Sequence, residues 1–138
     1  MSELSNKKKL MIIPVIFVLL FIIPLFSGCV EKNILVITGE PEKLDKIVLI
    51  CGWTFKFIPG RSQKNLSFEY IFAFDTSYHE DCRDYDKFFY TELMYGYIFD
   101  YWIWNDELEP GVTYHYRAVV HETKNDEWFQ GKDASFKF

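Results

Sequence analysis

Few residues in this 138-residue chain can bend a backbone or hold a soft metal: it has five prolines, seven glycines and three cysteines. There is no glycine-rich phosphate loop, no GxSxG, no HExxH and no CxxC, so nucleotide hydrolysis, nucleophile-elbow hydrolysis, zinc proteolysis and dithiol redox chemistry lack their usual carriers. No low-complexity tract or internal repeat is present. Basic side chains are also scarce. Setting aside Lys7, Lys8, Lys9 and Glu3 at the N-terminus leaves 12 basic and 19 acidic side chains, a net −7. A domain this acidic, without a basic stripe, is unsuited to a phosphate backbone, so nucleic acid is not an expected partner. The sequence supplies no catalytic set, no metal site and no cofactor motif.

Aromatic residues, in contrast, make up 20% of the chain, with 14 phenylalanines. Such a chain can bury a substantial core. The first 28 residues read as an export segment. Three lysines precede Leu10 to Phe26, seventeen residues without a polar side chain, and then Ser27, Gly28 and Cys29. Lysines hold the cytoplasmic side while the apolar run enters the bilayer. About 110 residues remain, room for one domain.

Leu25-Phe26-Ser27-Gly28-Cys29 resembles the lipobox of prokaryotic lipoproteins. The motif places an aliphatic residue three before the cysteine and two small residues next to it. Ser27, Gly28 and Cys29 match, whereas Phe26 stands where the motif prefers Leu. The resemblance implies cleavage before Cys29 and lipid attachment to it. The competing reading is an uncleaved signal anchor, since the apolar run approaches a spanning length and exceeds the usual signal-peptide core. Either reading places the domain on the extracytoplasmic face of the cell membrane, held by its N-terminus.

Beyond residue 30, period-two alternation dominates. Strands are expected at Ile34 to Thr38, Lys46 to Ile58, Leu66 to Asp75, Phe88 to Leu93, Tyr97 to Trp104, Thr113 to His121 and Ala134 to Phe138. Turn signals fall at residues 39–42, at Pro59-Gly60 and at Lys124-Asn125-Asp126. Ile47, Leu49, Cys51, Trp53, Phe55 and Phe57 share one strand face, as do Phe68, Tyr70, Phe72 and Phe74. Tyr114, Tyr116, Ala118 and Val120 oppose His115, Arg117, Val119 and His121. Such a pattern predicts an all-β antiparallel sandwich behind an N-terminal hydrophobic signal or anchor helix.

Leu108-Glu109-Pro110-Gly111-Val112-Thr113-Tyr114 resembles the corner between the fifth and sixth strands of fibronectin type III-like domains, as found in archaeal and bacterial surface proteins. The resemblance, covering residues 34–138, implies an immunoglobulin-like sandwich. Leu108 would plug the core, Pro110-Gly111 make the turn, and the Tyr114 hydroxyl bond back to main chain. Trp53 would fill the site of a buried tryptophan on the second strand. Residues 29–33 would form a short tether. From Val30 to Asn33 the chain reaches at most ~14 Å, which keeps the domain close to the lipid headgroups.

Cys51 and Cys82 form an even pair once Cys29 is lipidated. They would either make one disulfide in an oxidising exterior or stand apart as a strand thiol and a loop thiol. His79 to Asp86 (HEDCRDYD) is the densest polar cluster. It offers hard oxygen ligands without calcium-loop spacing, so a solvated loop is expected. Use of 79–86 by a surface enzyme or metal-dependent binder is the alternative. Asn65-Leu66-Ser67 is a glycosylation sequon. Along Tyr97 to Trp104, Trp102 and Trp104 point out of the core if Tyr101 and Ile103 point in, or the reverse, and a long loop or the facing sheet covering the outward rings is the alternative to an open surface. An outward pair would suit an envelope protein or a polysaccharide, because flat rings stack on sugars and mark interfaces. The function expected is a membrane-anchored binding or structural module at the cell surface.

Overall fold

A computed structural model describes residues 33–58, 66–91 and 94–138, apart from the side chains of Met94 and Tyr95. The hydrophobic N-terminal tract, Cys29 and Asn65 lie outside the described residues. Among the described residues ten strands run in order: β1 Asn33–Thr38, β2 Glu42–Lys43, β3 Ile47–Phe57, β4 Phe68–Asp75, β5 Lys87–Thr91, β6 Met94–Tyr95, β7 Ile98–Trp104, β8 Thr113–Glu122, β9 Glu127–Gln130 and β10 Ala134–Lys137. All seven strands expected from the sequence are present. The three additions, β2, β6 and β9, have two to four residues, too few to display a period.

The strands form two sheets. In the first the order is β1-β3-β7-β6, with β2 also pairing β3. In the second it is β10-β8-β4-β5, with β9 also pairing β8. Every pairing is antiparallel. The described residues therefore form an all-β two-sheet sandwich, in which alternate residues of each strand fill the space between the layers.

Rings dominate that space. Phe72 stands 5.1 Å from Phe99 and Phe74 5.2 Å from Tyr114, centroid to centroid. Phe89 stacks on Tyr101 at 4.5 Å, almost parallel. Ile34, Val36, Val48, Ile50, Ile103, Leu108, Ala118, Val120 and Phe136 close around them. Each large side chain fully buried here contributes about 1.5–3 kcal/mol. The β4 and β8 faces read from the sequence are the ones that meet in this core. At one end Lys56 lies over the rings of Phe68 and Tyr70, 4.4 and 4.6 Å from their centroids, and its ammonium donates to the Tyr70 hydroxyl.

β3 turns the other way from what its aromatic content suggests. Its inward side is Val48, Ile50, Gly52 and Thr54, all buried. Trp53 is half-buried on the outer side, not in the core where the family resemblance placed it. The cause is close approach of the two sheets. A Cβ on Gly52 would lie 2.6 Å from the Ala118 Cβ and 2.9 Å from the Phe99 ring, so a tryptophan could not occupy this side of the strand. Two polar contacts fix the same approach. The Tyr116 hydroxyl donates to the Gly39 carbonyl at 2.6 Å, and the Ala118 N–H donates to Thr38 Oγ1 at 3.0 Å.

Candidate functional site

The turned β3 leaves the first sheet with an apolar outer face. Registers place Leu35 beside Phe55 and Ile37 beside Trp53. Across β7 they place Trp53 beside Ile98, Leu49 beside Trp102, and Ile47 beside Trp104. Phe55 stacks on Tyr97 at 5.2 Å. Trp102 and Trp104 are 57% and 51% exposed, and Leu35, Ile37, Phe55, Phe57, Tyr97 and Ile98 are exposed as well. Along β1, β3 and β7, Asp100 is the single outward carboxylate; Glu42 adds another at the β2 edge. Near the start of β1, Asn33, Leu35, Phe55 and Phe57 line an open groove of about 380 Å³. Isolated exposed hydrophobes are ordinary; these residues differ in being contiguous across three strands.

The sequence condition on β7 is met: Tyr101 and Ile103 pack toward the core, and both tryptophans point out. Sequence reasoning missed the breadth of the surface. Leu35, Ile37, Phe55 and Phe57 belong to it. Their signal was the apolar character of both faces of β1 and of β3, which one core can bury on one side only.

The second sheet also has an apolar outer face, and there the chain covers it. Ile71, Ala73 and Val119 lie fully buried beneath Cys82 and Tyr85, with Phe88 and Trp128 alongside. Arg117, 6% exposed, clamps this cover. Its Nη2 donates to the His79 carbonyl at 2.8 Å, its Nη1 to the Gly131 carbonyl at 2.9 Å, and its Nε to the Tyr85 hydroxyl at 3.0 Å. The Tyr85 hydroxyl in turn donates to Asp133. Burial, together with that carboxylate, pushes Tyr85 up to about 12, so it remains a donor. Gln130 accepts from the Cys82 N–H at 2.7 Å and donates to the Glu80 carbonyl at 2.8 Å.

The polar cluster 79–86 therefore serves as a cover. Asp81 is held by Arg83, which brings its carboxyl down to about 2. The Asp75 carboxylate meets His79 at 2.8 Å and accepts from the Asp86 N–H. Among the described residues, no group of three or more His, Cys, Asp or Glu is placed to hold a metal ion. His115 and His121 share the outer face but have separate partners, Asp133 at 2.8 Å for the first, Glu69 at 3.0 Å and Asp126 at 2.8 Å for the second.

The Cys51–Cys82 pairing weighed from the sequence is not formed. Cys51 is a half-buried free thiol on the outer face of the first sheet, and Cys82 is a free thiol buried behind the second. Both layers lie between them, and no disulfide reaches that far. Burial raises both thiol pKa values, Cys82 to about 11.

Leu108 and Tyr114 are buried, Pro110 and Gly111 lie in the turn with Gly111 at φ +79°, and the Tyr114 hydroxyl accepts from the Glu109 N–H at 2.8 Å. Among the described residues no helix is long and apolar enough to cross a membrane. No family model, no curated protein and no solved structure matches the chain.

Proposed function

We propose that this chain is a membrane-anchored, extracytoplasmic β-sandwich of the fibronectin type III-like kind, acting as a binding or structural module through the outer face of its first sheet. The observation that carries the reading is that face: contiguous, aromatic and not covered by any described segment, whereas the equivalent face of the other sheet is covered.

The anchoring part rests on sequence chemistry, on Lys7 to Lys9, the apolar tract Leu10 to Phe26 and the lipobox-like residues up to Cys29. The family part is supported by the hydrogen-bonded Tyr114 corner. Strand order supports it too. β1, β3 and β7 lie together, as strands A, B and E do in immunoglobulin-like sandwiches, while β4, β8 and β10 correspond to C, F and G. An envelope protein or a polysaccharide is the partner class that exposed Trp102 and Trp104 suggest.

Two measurements test this. Fractionation with protease treatment of intact cells should recover the full chain with membranes and cleave it from outside; a chain dissolved in the cytosol overturns the location. Trp102→Ala combined with Trp104→Ala should release the protein from its envelope contact while thermal unfolding stays nearly unchanged. Undiminished contact by a folded variant would remove the face from the proposal.

A further inference from the structure

We infer that the apolar outer face of the first sheet rests on the interfacial zone of the bilayer that anchors the chain. This deepens the function proposed above by naming the partner of that face, and it rests on the anchoring part of that reading.

The first argument is the length of chain outside the sandwich and where it ends. The apolar tract stops at Phe26 and the lipobox-like cysteine is residue 29, while β1 starts at Asn33. Val30, Glu31 and Lys32 alone separate Cys29 from the strand and span roughly 10 Å when extended. If the tract instead crosses uncleaved, six residues separate Phe26 from Asn33 and span roughly 20 Å. Either length is short compared with the length of β3, eleven residues. The sandwich cannot leave the headgroup layer by more than its own dimensions.

The second argument is where the face begins. The strand that continues the tether, β1, is itself part of it. Its outward residues Leu35 and Ile37 lie one and two side chains from the tether on that face. The groove lined by Leu35, Phe55 and Phe57 opens at the same end. The face runs from there across β3 to Trp102 and Trp104 on β7.

The third argument is composition. Tryptophan and tyrosine favour the membrane–water boundary, where an apolar body and a polar tip are both satisfied. Trp53, Tyr97, Trp102 and Trp104 are on this side, with aliphatic and phenylalanine side chains between them. A domain of net −7 would be repelled from anionic headgroups if its acids faced them. On the described part of this face the carboxylates are Asp100 and, at the β2 edge, Glu42, whereas Glu69, Asp75, Glu80, Asp81, Asp84 and Asp86 belong to the second sheet and its cover.

Tryptophan fluorescence of the full chain in proteoliposomes tests this, using lipids brominated near the carbonyl region. One chain carries Trp53→Phe and Trp128→Phe, leaving Trp102 and Trp104 as reporters. The other carries Trp53→Phe, Trp102→Phe and Trp104→Phe, leaving Trp128 on the second sheet. Circular dichroism checks that each is folded. Flotation with the vesicles reads the anchor separately. The expected result is flotation of both chains, with Trp102/Trp104 emission falling by about half while Trp128 emission is nearly unchanged, as for indoles at headgroup level. Flotation without quenching of Trp102/Trp104 overturns the inference and leaves the anchor standing. Failure to float overturns the anchor. Protection of Trp102/Trp104 from acrylamide without lipid quenching overturns the inference in favour of a second copy if it grows with protein-to-lipid ratio, or of a glycan if it needs added envelope polysaccharide.

Discussion

The two outer faces of this sandwich pose the same physical problem and resolve it differently. Each sheet turns hydrophobic side chains away from the shared core. Behind the second sheet, the segment from Thr76 to Asp86 folds over Ile71, Ala73 and Val119, and Arg117 fixes it there through carbonyl acceptors and the Tyr85 hydroxyl. Among the described residues no such segment lies on Leu35, Phe55, Trp102 and Trp104. Among the described residues, then, one apolar outer face is covered and the other is not. Water contact with that much apolar area is unfavourable at roughly 25 cal/mol per Å², and a surface that removes it gains that free energy on contact.

The largest expected effect breaks the covered side. Arg117→Met keeps the length of the side chain but removes the guanidinium donors of the His79 and Gly131 carbonyls, leaving Gly131 without that bond and His79 with the Tyr85 hydroxyl at 3.2 Å. Loss of such buried bonds should cost about 3 kcal/mol in urea unfolding. A loss below about 1 kcal/mol would mean that the cover holds without its clamp. Next, the two thiols should report the two faces directly. At neutral pH, alkylation of folded Cys82 should run about a hundredfold slower than that of Cys51, because the thiol is buried, its pKa stands near 11, and reaction requires opening of the cover. Mass spectrometry of the labelled peptides reads the ratio, and equal rates would dissolve the contrast.

Smaller effects sharpen it. Thr54 lies on the inward side of the first sheet with a buried hydroxyl that has no hydrogen-bond partner. Thr54→Val should therefore stabilise the domain by about 1 kcal/mol in the same unfolding assay. Trp102→Ser and Trp104→Ser should each change stability by less than about 1 kcal/mol, since they lose cross-strand contacts but open no cavity. A loss as large as that of Arg117→Met would show that these rings are load-carrying packing.

The smallest effect is electrostatic. Burial opposes charge on His121, but Glu69 and Asp126 outweigh it and raise its pKa above 6.5. A raised histidine pKa adds stability that is complete below the unfolded value and disappears as pH rises through the folded one. His121→Phe, which keeps a ring against Trp128, should therefore be less stable than the parent at about pH 5.5 and lose that deficit by about pH 8. Thermal unfolding at the two values reads it. A deficit that is independent of pH would assign the loss to packing.

Much of the sandwich was legible because strand alternation is a local signal. Alternating residues of β4 and β8 indicate both faces of the second sheet, and the Leu108 to Tyr114 corner carries its own turn chemistry in Pro110, Gly111 and the tyrosine hydroxyl. The Arg117 clamp was not legible. Its acceptors, the carbonyls of His79 and Gly131, are backbone groups that any residue would supply. The Cys51–Cys82 question was equally closed to composition, since parity of cysteines says nothing about which layers lie between them.

The sequence by itself determined where strands run, which residues share a side and where the chain turns, because those depend on neighbours two to five residues away. Only the tertiary structure decided which side of β3 faces in. Counting rings would have buried Trp53 and Phe55; the core took Val48, Ile50, Gly52 and Thr54 instead. The physical reason is volume. Phe72, Phe99 and Tyr116 already fill the space between the sheets, Ala118 approaches until no Cβ fits at Gly52, and the larger aromatic set of β3 has room only outside.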